Sequence, residues 1–135
     1  MKELSQQNRI EWSLFLLRAG VFIVMLAWTL DKFIDPSHGV RILEKFYLIG
    51  GMGEGIMMVV GAVELLIILA FFGGVWKRWT YGFVMVLHAM STFSSWAYYT
   101  VNINLLFFAA WPMLAACIAL YLLRDLDVKF TFKKR

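Results

Sequence analysis

The chain has 135 residues, of which 61% are hydrophobic, 17% aromatic and only 16% charged, with a mean hydropathy of +0.72. A soluble domain is about 45–50% apolar and about 25% charged, so these proportions exclude one and leave an integral membrane domain. The net charge of +4 is no nucleic-acid signature, because the basic residues sit at the edges of apolar runs, and the single cysteine, Cys117, excludes an internal disulfide, a CxxC redox pair and a cysteine-ligated metal site.

Four apolar runs of about 19–23 residues can each cross a hydrocarbon core of about 30 Å. They predict an all-α fold in one domain over 1–135: an integral membrane four-helix bundle with spans at about 12–34, 56–75, 80–99 and 105–123. The opening MKELSQQNRIEW has mixed charge, and no small-residue cleavage pattern follows the first run, which reads as a retained helix. Pro36 disfavours the α region for the residue before it, so the first helix is expected to end near Asp35. In the long connection that follows, Val40, Leu43, Phe46 and Tyr47 share one face, which predicts a short amphipathic helix on the bilayer surface. GGMGEG, residues 50–55, follows no strand and reads as a hinge, not as a nucleotide loop. WKRW, residues 76–79, is a tight basic turn between the second and third runs, and TVNIN, residues 100–104, is a short uncharged one between the third and fourth. Trp12, Trp76, Trp79, Trp96 and Tyr98 stand at run ends, as interfacial aromatic belts do.

Lysine and arginine counts set the orientation. Lys2, Arg9, Lys77, Arg78, Arg124, Lys129, Lys133, Lys134 and Arg135 fall on one side, against Arg41 and Lys45, with Lys32 at the edge, on the other. Both termini are therefore expected in the cytoplasm, with 124–135 a basic cytoplasmic tail and the long first connection outside.

Polar groups inside the runs carry the functional signal. A charge at mid-membrane costs about 2.5 kcal/mol or more, so Glu64 must be paired, protonated or used. At 1.5 Å per residue, Arg18 lies about 9 Å, His88 about 12 Å and Glu64 about 18 Å from the cytoplasmic edge, which predicts one buried polar cluster on three helices. His88, Ser91, Thr92, Ser95 and Tyr99 fall on one face of the third helix, expected to point inward. Pro112 in the fourth run frees a carbonyl near Phe108, tolerable only inside protein or beside water. Asp31 and Lys32 close the first run as secondary polar candidates. The alternatives are structural: Arg18 snorkelling to the cytoplasmic edge, Glu64 as a hydrogen-bonded acid, His88 as a satisfied imidazole, and serines bonding their own helix. Haem is disfavoured because the second histidine, His38, lies in the outer connection, and no metal site is expected.

The order of these features resembles the DoxX family of small four-helix membrane proteins. The resemblance runs from about Arg18 to Asp127 through RAGVFIVMLAWTLDKFIDP, VELLIILAFFGGVWKRW, HAMSTFSSWAYY and NINLLFFAAWPMLAACIALYLLRDLD. It implies a multi-pass protein of the bacterial cytoplasmic (inner) membrane, associated with oxidoreduction. Family members are described as subunits of quinone-linked oxidoreductases, including a thiosulfate:quinone type, and as partners of redox-defence proteins. By that implication Arg18, Lys32 and Glu64 occupy the family's polar positions, while the ending RDLDVKFTFKKR departs from its usual glycine-containing one.

The first functional reading is an accessory membrane subunit of a redox system with a quinone-sized slot, Glu64 and His88 handling protons and a redox protein partner supplying electrons. The chain is then not a complete enzyme alone, and no residue is assigned a catalytic role. The second is a small homo-oligomeric proton-coupled transporter built on Glu64. The third is a scaffold recruiting a cytoplasmic partner through its basic tail.

Overall fold

The structure, a computed structural model, describes residues 5–51 and 53–132. Four of the basic residues counted for orientation, Lys2, Lys133, Lys134 and Arg135, lie outside them. Among the described residues all regular structure is helical: α1 (Gln6–Ile34), α2 (Pro36–Tyr47), α3 (Glu54–Phe72), α4 (Lys77–Ser94), α5 (Ala97–Thr100), a 3₁₀ segment (Leu105–Ala109) and α6 (Ala110–Leu122). Three stretches are long and apolar enough to cross a membrane: α1, α3, and the 3₁₀ segment with α6. The 18-residue α4 includes Lys77, Arg78 and His88, which make it the most polar of the long helices.

Local chemistry explains the boundaries. α1 begins before its apolar run because the Ser5 hydroxyl accepts the Asn8 N–H at 3.2 Å and caps a polar first turn. It stops at Ile34, where Asp35 caps α2 by accepting the His38 N–H at 3.3 Å, with Pro36 at the first helical position. The Ser37 hydroxyl bonds the Asp35 carboxyl and holds it below the usual carboxylate range. This cap therefore contributes fully above that range and is lost as pH falls below it, through the lowered value of the folded protein. α2 starts four residues earlier than its apolar face alone implied, and it packs on α1, α3 and α4. Gly39 permits the close approach, since a Cβ there would meet the Met57 side chain at 2.8 Å. Pro112 falls in the first turn of α6, where a proline costs little, and not inside a longer helix.

α1 packs on α3 and α4 on α6, each pair antiparallel, while α3 meets α4 and α1 meets α6. Each helix turns one stripe inward: Leu14, Arg18, Val21, Met25 and Thr29 on α1, and Met57, Gly61, Glu64, Ile68 and Phe71 on α3. The opposite faces stay apolar and exposed, as at Ile23, Val63 and Leu66 (53–70% exposed), the surface expected of a chain solvated by lipid.

Residues 124–132 are no loose tail. They fold back across the end of the helices that holds the start of α1 and of α4. Arg18 Nη1 donates to Asp127 Oδ1 at 2.5 Å, both side chains fully buried, and Arg18 Nη2 donates to the Lys129 carbonyl at 2.6 Å. Tyr81 donates its hydroxyl to Asp127 Oδ2 at 2.6 Å, and Lys77 Nζ donates to the carbonyls of Asp127 and Arg124. Phe130, with φ 54, turns its ring onto Trp12 and Phe15, and the Phe132 N–H reaches the Gly73 carbonyl at 2.9 Å. Gly74, with φ 70, makes room for this return, because a Cβ there would overlap the Thr131 side chain.

Asp127→Ala strands the Arg18 guanidinium and is expected to destabilise the protein by about 3–5 kcal/mol in denaturant titrations in detergent. The double variant Arg18→Met/Asp127→Leu is expected to recover most of that loss, because it removes both charges.

Candidate functional site

The buried polar residues do not form the single cluster that similar depth had implied. Arg18, Glu64 and His88 each have their own partners. Helix direction is the physical reason: side chains lean toward the N-terminus of their own helix. Arg18 and Glu64 stand on antiparallel helices and lean apart, Arg18 toward the returning C-terminal segment and Glu64 toward the end of α1.

Glu64 (7% exposed) faces the last turns of α1. The Thr29 hydroxyl donates to its Oε1 at 2.8 Å, and Lys32 Nζ lies 3.2 Å from its Oε2. Lys32 also reaches the Trp28 carbonyl at 3.5 Å, so the ammonium is held between the two helices. Asp31, on the neighbouring face, pairs with His38 Nδ1 at 2.5 Å and ties α1 to α2 at an exposed edge.

His88 (1% exposed) belongs to a different neighbourhood. Its Nε2 bonds the Ala110 carbonyl at 3.0 Å, and its ring stacks on Trp28 with centroids 5.8 Å apart and planes 22° apart. Trp28 lies ten residues, about 15 Å, along α1 from Arg18, which separates the two sites. Thr92 and Ser95 are buried as their spacing implied, but each donates to its own helix, to the His88 carbonyl at 2.8 Å and the Ser91 carbonyl at 3.0 Å. α4 ends at Ser94, so Tyr99 falls on α5, in an aromatic cluster with Phe108 and Trp111.

A groove of about 670 Å³ opens between α1, α4 and α6. Its walls are apolar, with Leu17, Val24 and Trp28 on one side and Phe107, Pro112 and Met113 on the other. His88, Ser91 and Ser95 supply its polar side chains. Leu16 and Leu106 at its rim are 63% and 83% exposed, so the groove opens onto the apolar outer face. Gly20 lies in its wall, and no atom stands within 4 Å of where a Cβ would project. The volume is that of sites for small organic ligands, about 300–1,000 Å³.

Among the described residues three buried side-chain polar atoms have no hydrogen-bond partner: Arg18 Nε, Tyr99 Oη and His88 Nδ1. The first belongs to a guanidinium whose other nitrogens are engaged, and the second to an aromatic cluster. Of the three residues, His88 alone lines the groove. Among the described residues no three His, Cys, Asp or Glu side chains gather to hold a metal ion.

Asp127, which satisfies Arg18, Tyr81 and Lys77, which bond Asp127, and Trp28, Thr29 and Ala110, which hold His88 and Glu64, were not among the sequence candidates. Thr29 could have been found, because it lies one turn before Lys32 on the same helix face. Asp127 offered only a carboxylate among tail cations, a pattern shared by solvated surfaces. The chain matches no protein-family model, and comparison with curated proteins and with solved structures found no match.

Lys32→Met is expected to cost about 1–3 kcal/mol by leaving the Glu64 carboxyl short of a partner. Adding Glu64→Gln is expected to restore part of it, since an amide needs no cation. Denaturant titration of the two variants and the wild type checks this.

Proposed function

We propose that the chain is an accessory membrane subunit of a quinone-linked redox system, and that the groove beside His88 holds the quinone-class ring. In this reading α4 is the fourth span of a four-helix bundle, with both termini in the cytoplasm of a bacterium. The cation-rich ends and the resemblance to the DoxX family favour that arrangement. The groove carries the functional reading: a drug-sized apolar slot, open to the lipid-facing side, with one buried imidazole nitrogen lacking a partner. A lipid-dissolved ring can enter such a slot without crossing water, and its oxygens need few polar contacts.

The residues fit that ligand class. Trp28 and Phe107 offer aromatic surface to a flat ring, the Ser91 hydroxyl can donate to a ring oxygen, and His88 Nδ1 and the Ser95 oxygen can accept from a ring hydroxyl. A quinone supplies two-electron, two-proton redox chemistry when bound; the chain's own part is to bind and orient it. One cysteine and two separated histidines provide no ligand set for a cluster or a paired haem, so electron transfer is assigned to a partner protein. The second reading, a proton-coupled transporter, needs a carboxylate available to a cationic substrate. Glu64 is instead engaged by Lys32 and Thr29, which favours the redox subunit.

Protein purified gently from native membranes is expected to carry extractable quinone in near-stoichiometric amount. Gly20→Phe fills open space in the groove wall and is expected to remove that quinone while the helices stay folded by circular dichroism. Wild-type protein without quinone, or Gly20→Phe protein that keeps it, would contradict the reading.

A further inference from the structure

The hydrogen-bonding capacity of the groove is lopsided. A carbonyl oxygen only accepts, so the His88–Ala110 bond assigns the ring hydrogen to Nε2. In the neutral ring Nδ1 then carries a lone pair and can only accept. It is buried and without a partner, and the stack on Trp28 together with the Ala110 bond fixes the ring that bears it. The Ser95 hydroxyl gives its hydrogen to the Ser91 carbonyl and so also presents an acceptor, whereas the Ser91 hydroxyl can turn to donate or to accept. The role of the imidazole is set in advance by the bond on its far side.

We propose that the groove selects the reduced, hydroxyl-bearing form of its ring ligand, a hydroquinone, and that His88 Nδ1 accepts the hydrogen of one ring hydroxyl. The proposal rests on the quinone reading of the groove. An oxidised quinone presents only acceptor oxygens, and a carbonyl set against Nδ1 would leave two lone pairs facing each other with no hydrogen between them. In a slot walled by leucine, valine and aromatic rings, such an unmet pairing is not relieved by bulk water. His88 is thus the specificity-determining residue, Ala110 positions it through its carbonyl, and Trp28 positions it through the stack.

The test uses the full chain in lipid nanodiscs and follows binding by quenching of tryptophan fluorescence. Three probes share one decyl tail: a 1,4-benzoquinone, its hydroquinone kept reduced under anaerobic conditions, and the dimethyl ether of that hydroquinone. The hydroquinone is expected to bind about tenfold more tightly than either of the others, the difference one well-made hydrogen bond supplies. His88→Gln, which can keep a donor toward Ala110 but lacks the acceptor at the Nδ1 position, is expected to bring the hydroquinone down to the quinone's affinity. If that variant does not fold, the ether comparison on the wild-type protein still decides. Equal affinity for quinone and hydroquinone, or tighter binding of the quinone, overturns the selectivity while leaving the groove as a quinone site. Equal affinity for hydroquinone and ether removes the hydroxyl from recognition and overturns it as well. Binding of none of the three overturns the quinone reading itself.

Discussion

The buried pair of Arg18 and Asp127 governs how this chain is closed. An apolar chain can keep a guanidinium on the inward stripe of its first helix only if something neutralises it, and the neutralising carboxylate arrives 109 residues later. Everything around the pair follows from that demand. The chain must turn back after α6, Gly74 must leave room for Thr131, and Phe130 must take a left-handed turn that sets its ring on Trp12 and Phe15. Tyr81 and Lys77 complete the shell, so α1, α4 and the C-terminal segment share one hydrogen-bonded centre. At the far end Glu64 makes the matching demand on Lys32 and Thr29, which holds α3 to α1.

With those two charges satisfied by the chain itself, His88 stands out by contrast. It belongs to the same inward stripes, but its partner is a main-chain carbonyl, which uses one ring nitrogen and leaves the other. The groove lies where α1 and α6 separate beside it, with Gly20 thinning the α1 wall. Stability and binding are thereby divided along the helices. The Arg18 and Glu64 sites lock the ends, and the groove lies in the less tightly filled space between them.

Much of the scaffold was legible in the sequence because hydrophobic periodicity and proline rules act locally. The inward spacing of Arg18, Glu64 and His88, the stop before Pro36 and the amphipathic face of α2 all come from residues within one or two turns of each other. Pairing was less legible. Depth along a helix can be counted from the sequence, but the lean of each side chain depends on helix direction, and this sends Arg18 and Glu64 to opposite ends. The partner of Arg18 lay in a stretch whose mixed charges looked like an ordinary solvated tail. The groove left no motif, since it arises from Gly20, Pro112 and the 3₁₀ segment together, and no single one of these implies an opening.

The most direct measurement is the nitrogen NMR spectrum of the His88 ring in the nanodisc-embedded protein, with and without hydroquinone. His38 is the only other histidine, so its removal by substitution identifies the signals. The expected spectrum shows a protonated Nε2 and an unprotonated Nδ1, with the Nδ1 resonance alone moving strongly as hydroquinone is added. A hydrogen on Nδ1 in the ligand-free protein, or an Nδ1 resonance that ignores the ligand, would contradict the role of His88 as acceptor of the ring hydroxyl.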